Sequence, residues 1–409
     1  MKGFAIRKWS YIGLINLAIV AVYGVVMRYK IAFEFPYFDQ KNLQHAHSHF
    51  AFSGWVSFVL MALMIDALSN GLSAKILRKF TLTLRGSLLC SYGMLISFTC
   101  QGYGPASIFF ATASIIISFI FCLSYYKSLR EISNITAKRW FSAALIFNIL
   151  SACGTFYLSY MMSTHSIVQH NYLAAIYWYL HYQYNGWFFF ACGGLVLYYL
   201  EQQQIFLKGR CIIFWLFSLS CIPAYGLSVL WLSLPLWVMI IISLAALAQF
   251  LGGALLVFRL QDKRIYQLFR SNKTALRLLI FGGIALLIKL TLQLGSMIPA
   301  ASKLAFGSRT IVIAYLHLAL LAFITVIIIA YMLIRNIIPL NKMSAAGIIV
   351  FVAGIFFNEI ILGIQGIASF TYTYILYANE SLVAVSFVLL TGILLVNFGI
   401  LKAGKEKRI

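Results

Sequence analysis

Apolar stretches of about twenty residues recur along the whole 409-residue chain, separated by short polar segments. About twenty apolar residues are what a helix needs to cross the hydrocarbon layer. Reading for such runs predicts spans near 10–28, 46–68, 86–103, 106–126, 140–161, 171–199, 211–232, 236–258, 278–298, 310–333, 344–364 and 378–401. Gly102-Tyr103-Gly104-Pro105 supplies a turn between the third and fourth of these, and Pro223 and Pro235 kink or end the seventh. The pattern predicts an all-α polytopic membrane protein with about twelve transmembrane helices, forming one transmembrane domain over residues 1–409. The longest outer loops, near 29–45 and 299–309, are too short to fold alone.

Composition agrees, with 62% hydrophobic and 10% charged residues against about a quarter charged in soluble domains. The net charge of +22 would suit a nucleic-acid binder, but there is no basic domain to bind one. Of the 31 lysines and arginines, five (Arg28, Lys30, Lys41, Lys303, Arg309) fall in segments on one side of the predicted membrane, and Lys289 falls inside a span. The remaining 25 fall on the other side, among them Lys75, Arg78, Lys79, Arg85, Lys405, Lys407 and Arg408. Basic loops stay cytoplasmic, so both termini are expected inside a bacterial-type cytoplasmic membrane, with the lipid bilayer as the first partner and no nucleic acid. Lys2, Arg7 and Lys8 precede the first span as in a signal peptide, but that span is long enough to cross and no clean cleavage site follows. The seven cysteines lie within or beside spans without a C-x-x-C or C-x-x-C-H motif, and read as small packing residues.

Seven histidines remain. His165 and His170 read as loop residues. His45, His47 and His49 open the second span, His181 lies about ten residues into the sixth, and His317 about seven into the tenth. These three spans run in the same direction, so the imidazoles share the outer part of the bilayer. Imidazole is costly to bury unpaired, and three helices offering it at one depth point to a metal or haem site, although each alone is also a common helix contact. His47 and His49 are two residues apart and face nearly opposite ways, so one of them at most serves a given iron.

Twelve spans with histidines on the second, sixth and tenth resemble subunit I of the haem-copper oxidase and nitric oxide reductase superfamily. The run from Ser308 to His317 resembles the tenth helix of that family, with His317 at the low-spin haem ligand and Tyr315 in place of the high-spin haem ligand. His49-Phe50-Ala51-Phe52-Ser53-Gly54-Trp55 resembles the second helix, with His49, or alternatively His47, as the other axial ligand. His181 resembles a ligand of the non-haem metal, with Asn185 where the reductases carry a glutamate, and His45 is a further metal candidate. Residues 211–232 lack the expected His-His pair. The resemblance therefore implies a low-spin haem b on two histidines, without the second haem and copper or non-haem iron centre. It implies electron transfer or gas and redox sensing, with a respiratory partner subunit, cytochrome or quinol as donor. Rival readings are an active, divergent oxygen or nitric oxide reductase and a metal-handling or transport protein. Lys289 and Glu359 are buried polar candidates, read either as a pair or as proton-conducting or propionate-balancing groups. Tyr315 is a ligand's hydrogen-bond partner or a packed aromatic.

Overall fold

Away from water, a chain satisfies its backbone within the segment itself, and a helix is the local way to do so. The computed structural model describes residues 4–131, 135–270 and 272–406, and among them every regular element is helical. Lys2, Lys407 and Arg408 lie outside the described residues, as do the side chains of Lys303 and Lys405.

Twelve long rods follow one another: α1 (Ile6–Ala32), α2 (Gln40–Gly71), α3 (Ala74–Gln101), α4 (Pro105–Ser128), α5 (Ile135–Ser163), α6 (residues 169–202), α7 (Arg210–Cys221 continued by Pro223–Val229), α8 (Leu236–Leu260), α9 (Lys273–Gly295), α10 (Arg309–Ile334), α11 (Lys342–Phe370) and α12 (Ala378–Glu406). Among the described residues, nine are long and apolar enough to cross a membrane, or ten if the two pieces of α7 make one span. The expected twelve is therefore met in part. The two rods below that mark carry polar residues: α3 has Lys75, Arg78, Lys79 and Arg85 in its first half, and α6 runs through Gln183 and Asn185.

The turn and kink residues behave as the sequence predicts. Gly102 adopts φ +60 after α3, and Pro105 opens α4. Pro223 marks a 48° bend in α7, and Pro235 caps the start of α8.

The chain divides into two compact units, Met1–Glu131 with Ile328–Ile409, and Ile132–Ile327. In the first, α12 returns to α1, where the buried Asn397 amide donates to the Leu14 carbonyl at 3.1 Å. Arg335 donates to Asp66 at 3.2 Å. The closest backbone approach lies between α11 and α12. A Cβ on Gly392 would stand 2.5 Å from the Phe351 nitrogen, and one on Gly347 would stand 2.7 Å from the Val396 nitrogen. Small residues let membrane helices touch backbone to backbone, which gains dispersion where the hydrophobic effect offers little. Gly392→Leu is expected to lower the thermal unfolding midpoint of the detergent-purified protein by the equivalent of about 1–3 kcal/mol of overpacking. Gly363→Leu, on open space in α11, should stay near wild type in the same melt.

Candidate functional site

Three rods change their winding at a histidine. In α2 the α-helical part Gln40–Phe50 gives way to a π-helical segment, Ala51–Ser57, just after His49. In α6 the change falls directly after His181, with Tyr182–Phe188 π-helical, and in α10 directly after His317, with Leu318–Thr325 π-helical. A π turn carries an extra residue, re-aims the side chains around it and weakens the backbone ladder, and such turns cluster at functional sites. The rods that break this way are those that the sequence marks by their histidines.

Within the first unit, Asp39 starts α2 by accepting from the backbone of Lys41 and Asn42 at 2.8 and 2.9 Å. One face of the helix then carries His45 and His49. The Gly102–Pro105 turn brings Tyr103 edge-on to His45, with ring centroids 4.7 Å apart. His49 stacks on Phe98 at 4.4 Å and 11°, and its Nε2 lies 3.3 Å from the Tyr103 hydroxyl. His47 faces α1, where its Cε1 lies 3.7 Å from the place a Cβ on Gly24 would take. The opposition of His47 and His49 expected from helical spacing is thus observed. Glu359 lies beside Asn358, whose amide donates to it at 3.1 Å, and within electrostatic range of Arg28.

In the second unit, the bend at Pro223 leaves helix-end carbonyls without their usual donors. His181 Nε2 donates to the Cys221 carbonyl at 2.8 Å, and Tyr182 donates to the Ile222 carbonyl at 3.2 Å. Asn185 donates to the other nitrogen, His181 Nδ1, at 3.0 Å. With both nitrogens engaged and 1% of its surface exposed, His181 acts as a structural staple between α6 and the bend of α7. Gln183 donates to Asn148 and Ser151 of α5 at 3.1 and 2.8 Å.

His317 is prepared differently. Its Nδ1 donates to the Ile313 carbonyl at 2.8 Å, one turn back. In a neutral ring this fixes the tautomer whose lone pair is on Nε2. Within the second unit, Lys289 Nζ donates to Gln293 at 2.7 Å and sits 5.9 and 5.8 Å from the ring centroids of Tyr184 and Tyr315. Tyr315 packs edge-on to Tyr184 at 6.2 Å and also exchanges a hydrogen bond with it. His165 and His170 are both exposed; His165 lies in a turn as expected, whereas His170 falls in the first turn of α6 rather than in the loop. Among the described residues no three His, Cys, Asp or Glu side chains are grouped to hold a metal ion.

The geometry also reveals a repeat within the sequence. His49 and His181 are 132 residues apart, and His317 follows after 136 more. His49-Phe50-Ala51-Phe52-Ser53-Gly54-Trp55 matches His181-Tyr182-Gln183-Tyr184-Asn185-Gly186-Trp187, while His317 is followed by Ala322-Phe323 at the Gly-Trp positions. Upstream, Arg7-Lys8-Trp9 matches Lys138-Arg139-Trp140 at an offset of 131, and Asn16 matches Asn148 at 132. The contacts repeat too: Trp9 packs on Phe58 at 6.1 Å, and Trp140 packs on Phe190 at 5.2 Å. Asn16, wholly buried, donates to the Gly54 carbonyl at 2.6 Å inside the π segment and accepts from Tyr92 at 2.7 Å. Hydropathy passes over Asn16 because one amide barely dents an apolar window, whereas the 132-residue offset picks it out.

Asn16→Leu would strand the Gly54 carbonyl and the Tyr92 hydroxyl. It should cost about 1–3 kcal/mol per stranded group, read as a lower unfolding midpoint. Adding Tyr92→Phe should then cost less than it does in the wild type, because the two residues share a hydrogen bond. Compared with protein-family models and with curated proteins, the chain finds no match.

Proposed function

We propose that the chain is a twelve-span protein with cytoplasmic termini that binds a b-type haem through histidine, with His317 and His49 each a candidate ligand within its own unit, and that passes single electrons. The observation that carries this reading is the hydrogen bond from His317 Nδ1 to Ile313, since a metal-bound histidine characteristically donates its other nitrogen to a carbonyl or carboxylate and presents Nε2. His49 adds a ring held against Phe98, with Tyr103 beside its Nε2. The two residues belong to different compact units, so the support lies in how each ring is prepared within its own unit. The absence of a C-x-x-C-H motif favours noncovalent haem.

The haem iron would supply reversible one-electron transfer. Histidine ligation that leaves no open position on the iron would favour a carrier or redox sensor over a reductase. An oxygen or nitric oxide reductase needs a second metal centre beside the haem. The donor set around His181 argues against one, because both its nitrogens are spent in hydrogen bonds and Tyr315 stands in place of the second haem's ligand. The electron donor on this reading is a cytochrome or quinol, supplied through a respiratory partner.

Optical spectra of the purified protein, oxidised and dithionite-reduced, test the reading. Sharp reduced bands that carbon monoxide leaves in place are expected, and their loss in His317→Ala or in His49→Ala names the ligand. His181→Ala should keep the bands while lowering the melting midpoint. A carbon monoxide shift would return the reductase reading, and protein without bands after expression with ample haem would overturn the proposal.

A further inference from the structure

The turn between α8 and α9 concentrates positive charge in the second unit. Residues 259–277 hold six basic residues, Arg259, Lys263, Arg264, Arg270, Lys273 and Arg277, against one acid, Asp262. That acid is committed. The Arg264 guanidinium donates to its two oxygens at 3.3 and 2.9 Å, and these hydrogen bonds hold the carboxyl down to about 2. Asp262 also caps the short helix Lys263–Phe269 by accepting from the Arg264 backbone at 2.9 Å.

The short helix is fixed by its apolar side. Ile265 and Phe269, one turn apart, are buried, and Phe269 stacks on Tyr199 near the end of α6 with ring centroids 6.0 Å apart. Lys263, Arg264, Tyr266 and Arg270 are left exposed. Asn272 then caps α9 by accepting from the Ala275 backbone at 3.1 Å, which sets the exposed Lys273 and Arg277 on the first two turns. Bases there stand at the positive end of the helix dipole, so an anion beside them relieves both. At the end of α8 the Arg259 guanidinium lies over the Phe258 ring at 5.6 Å, and its Nε is buried with no hydrogen-bond partner.

The exposed bases are open donors, and the charge of the turn calls for an anion. Its position selects which. Phe258, 63% exposed, closes an apolar rod long enough to cross a membrane, so the bases lie just past the hydrocarbon, at the depth of headgroup phosphates. A soluble polyanion would have no use for that apolar edge, or for the exposed Tyr266 ring among the bases. We propose that the α8–α9 turn is a binding surface for the phosphates of anionic phospholipids, carried by Lys263, Arg270, Lys273 and Arg277. Basic clusters of this size beside a span attract anionic lipid, and arginine forks match phosphate geometry. The surface is separate from the proposed haem ligands, and its test needs no haem.

The test is the thermal unfolding of the full chain in detergent, titrated separately with phosphatidylglycerol, phosphatidylcholine and inorganic phosphate. A ligand of the folded state alone raises the midpoint saturably, by roughly 3–8 °C at high occupancy. Phosphatidylglycerol should do so. Phosphatidylcholine, whose choline offsets its phosphate, and inorganic phosphate, which lacks the chains, should not. Combining Lys263→Gln, Arg270→Gln, Lys273→Gln and Arg277→Gln should weaken the apparent affinity for phosphatidylglycerol by roughly tenfold or more. Lys75→Gln with Arg78→Gln and Lys79→Gln, exposed bases at the start of α3, should leave it unchanged. If the fourfold variant does not fold, Lys273→Gln with Arg277→Gln supplies the readout as a several-fold weaker affinity. Unchanged affinity in the α8–α9 variants, an equal loss in the α3 variant, or a matching rise with phosphatidylcholine or inorganic phosphate would overturn the proposal.

Discussion

A lipid-facing chain has no water with which to repair a broken hydrogen bond, so each departure from the regular helix must be answered by another part of the protein. That constraint orders most of what is distinctive here. The bend at Pro223 frees carbonyls, and His181 and Tyr182 fill them. The π segment of α2 bends its ladder, and Asn16 reaches across from α1 to the Gly54 carbonyl. Asn397 donates to the Leu14 carbonyl of the regular helix α1 where the last rod meets the first. The polar residues scattered through these apolar helices are therefore largely the repair set for their irregularities.

The same constraint separates the histidines. A ring with both nitrogens satisfied is a finished piece of structure, and His181 is one. A ring whose Nδ1 is tied back to its own helix has been oriented, and its tautomer chosen, before any ligand arrives, as at His317. Sequence position alone gives the two residues equal standing. Their environments do not, because the difference is written in Asn185 and in Pro223, one of which lies four residues away and the other forty-two.

The helical class, the turn at Gly102–Pro105, the bend at Pro223 and the opposition of His47 and His49 follow from hydropathy, backbone chemistry and helical spacing, all local properties of the chain. The partners of Lys289 were not legible in that way. Within its own unit the amine is met by Gln293, one turn along its own helix, and by two tyrosine faces. Nor does hydropathy register a π segment, since the inserted residue changes the winding without changing the composition. What does mark these sites is the offset of 132 residues, which aligns Trp9, Asn16, His49 and Gly54 with Trp140, Asn148, His181 and Gly186 to within one position.

That alignment bears on how a redox site would arise on this scaffold. If a helix pair with a buried asparagine and a histidine at a π break is the repeated unit, the first two copies began with equivalent imidazoles. In the second, the position matching Ser53 is Asn185, whose longer amide reaches His181 Nδ1, while Ser53 turns back to the His49 carbonyl at 2.7 Å. Asn185 together with the Cys221 carbonyl freed at the Pro223 bend thus closes His181, whereas the His49 ring lies against Phe98 and Tyr103. The third histidine segment has neither the asparagine nor the Gly-Trp pair, and its imidazole is held by its own backbone.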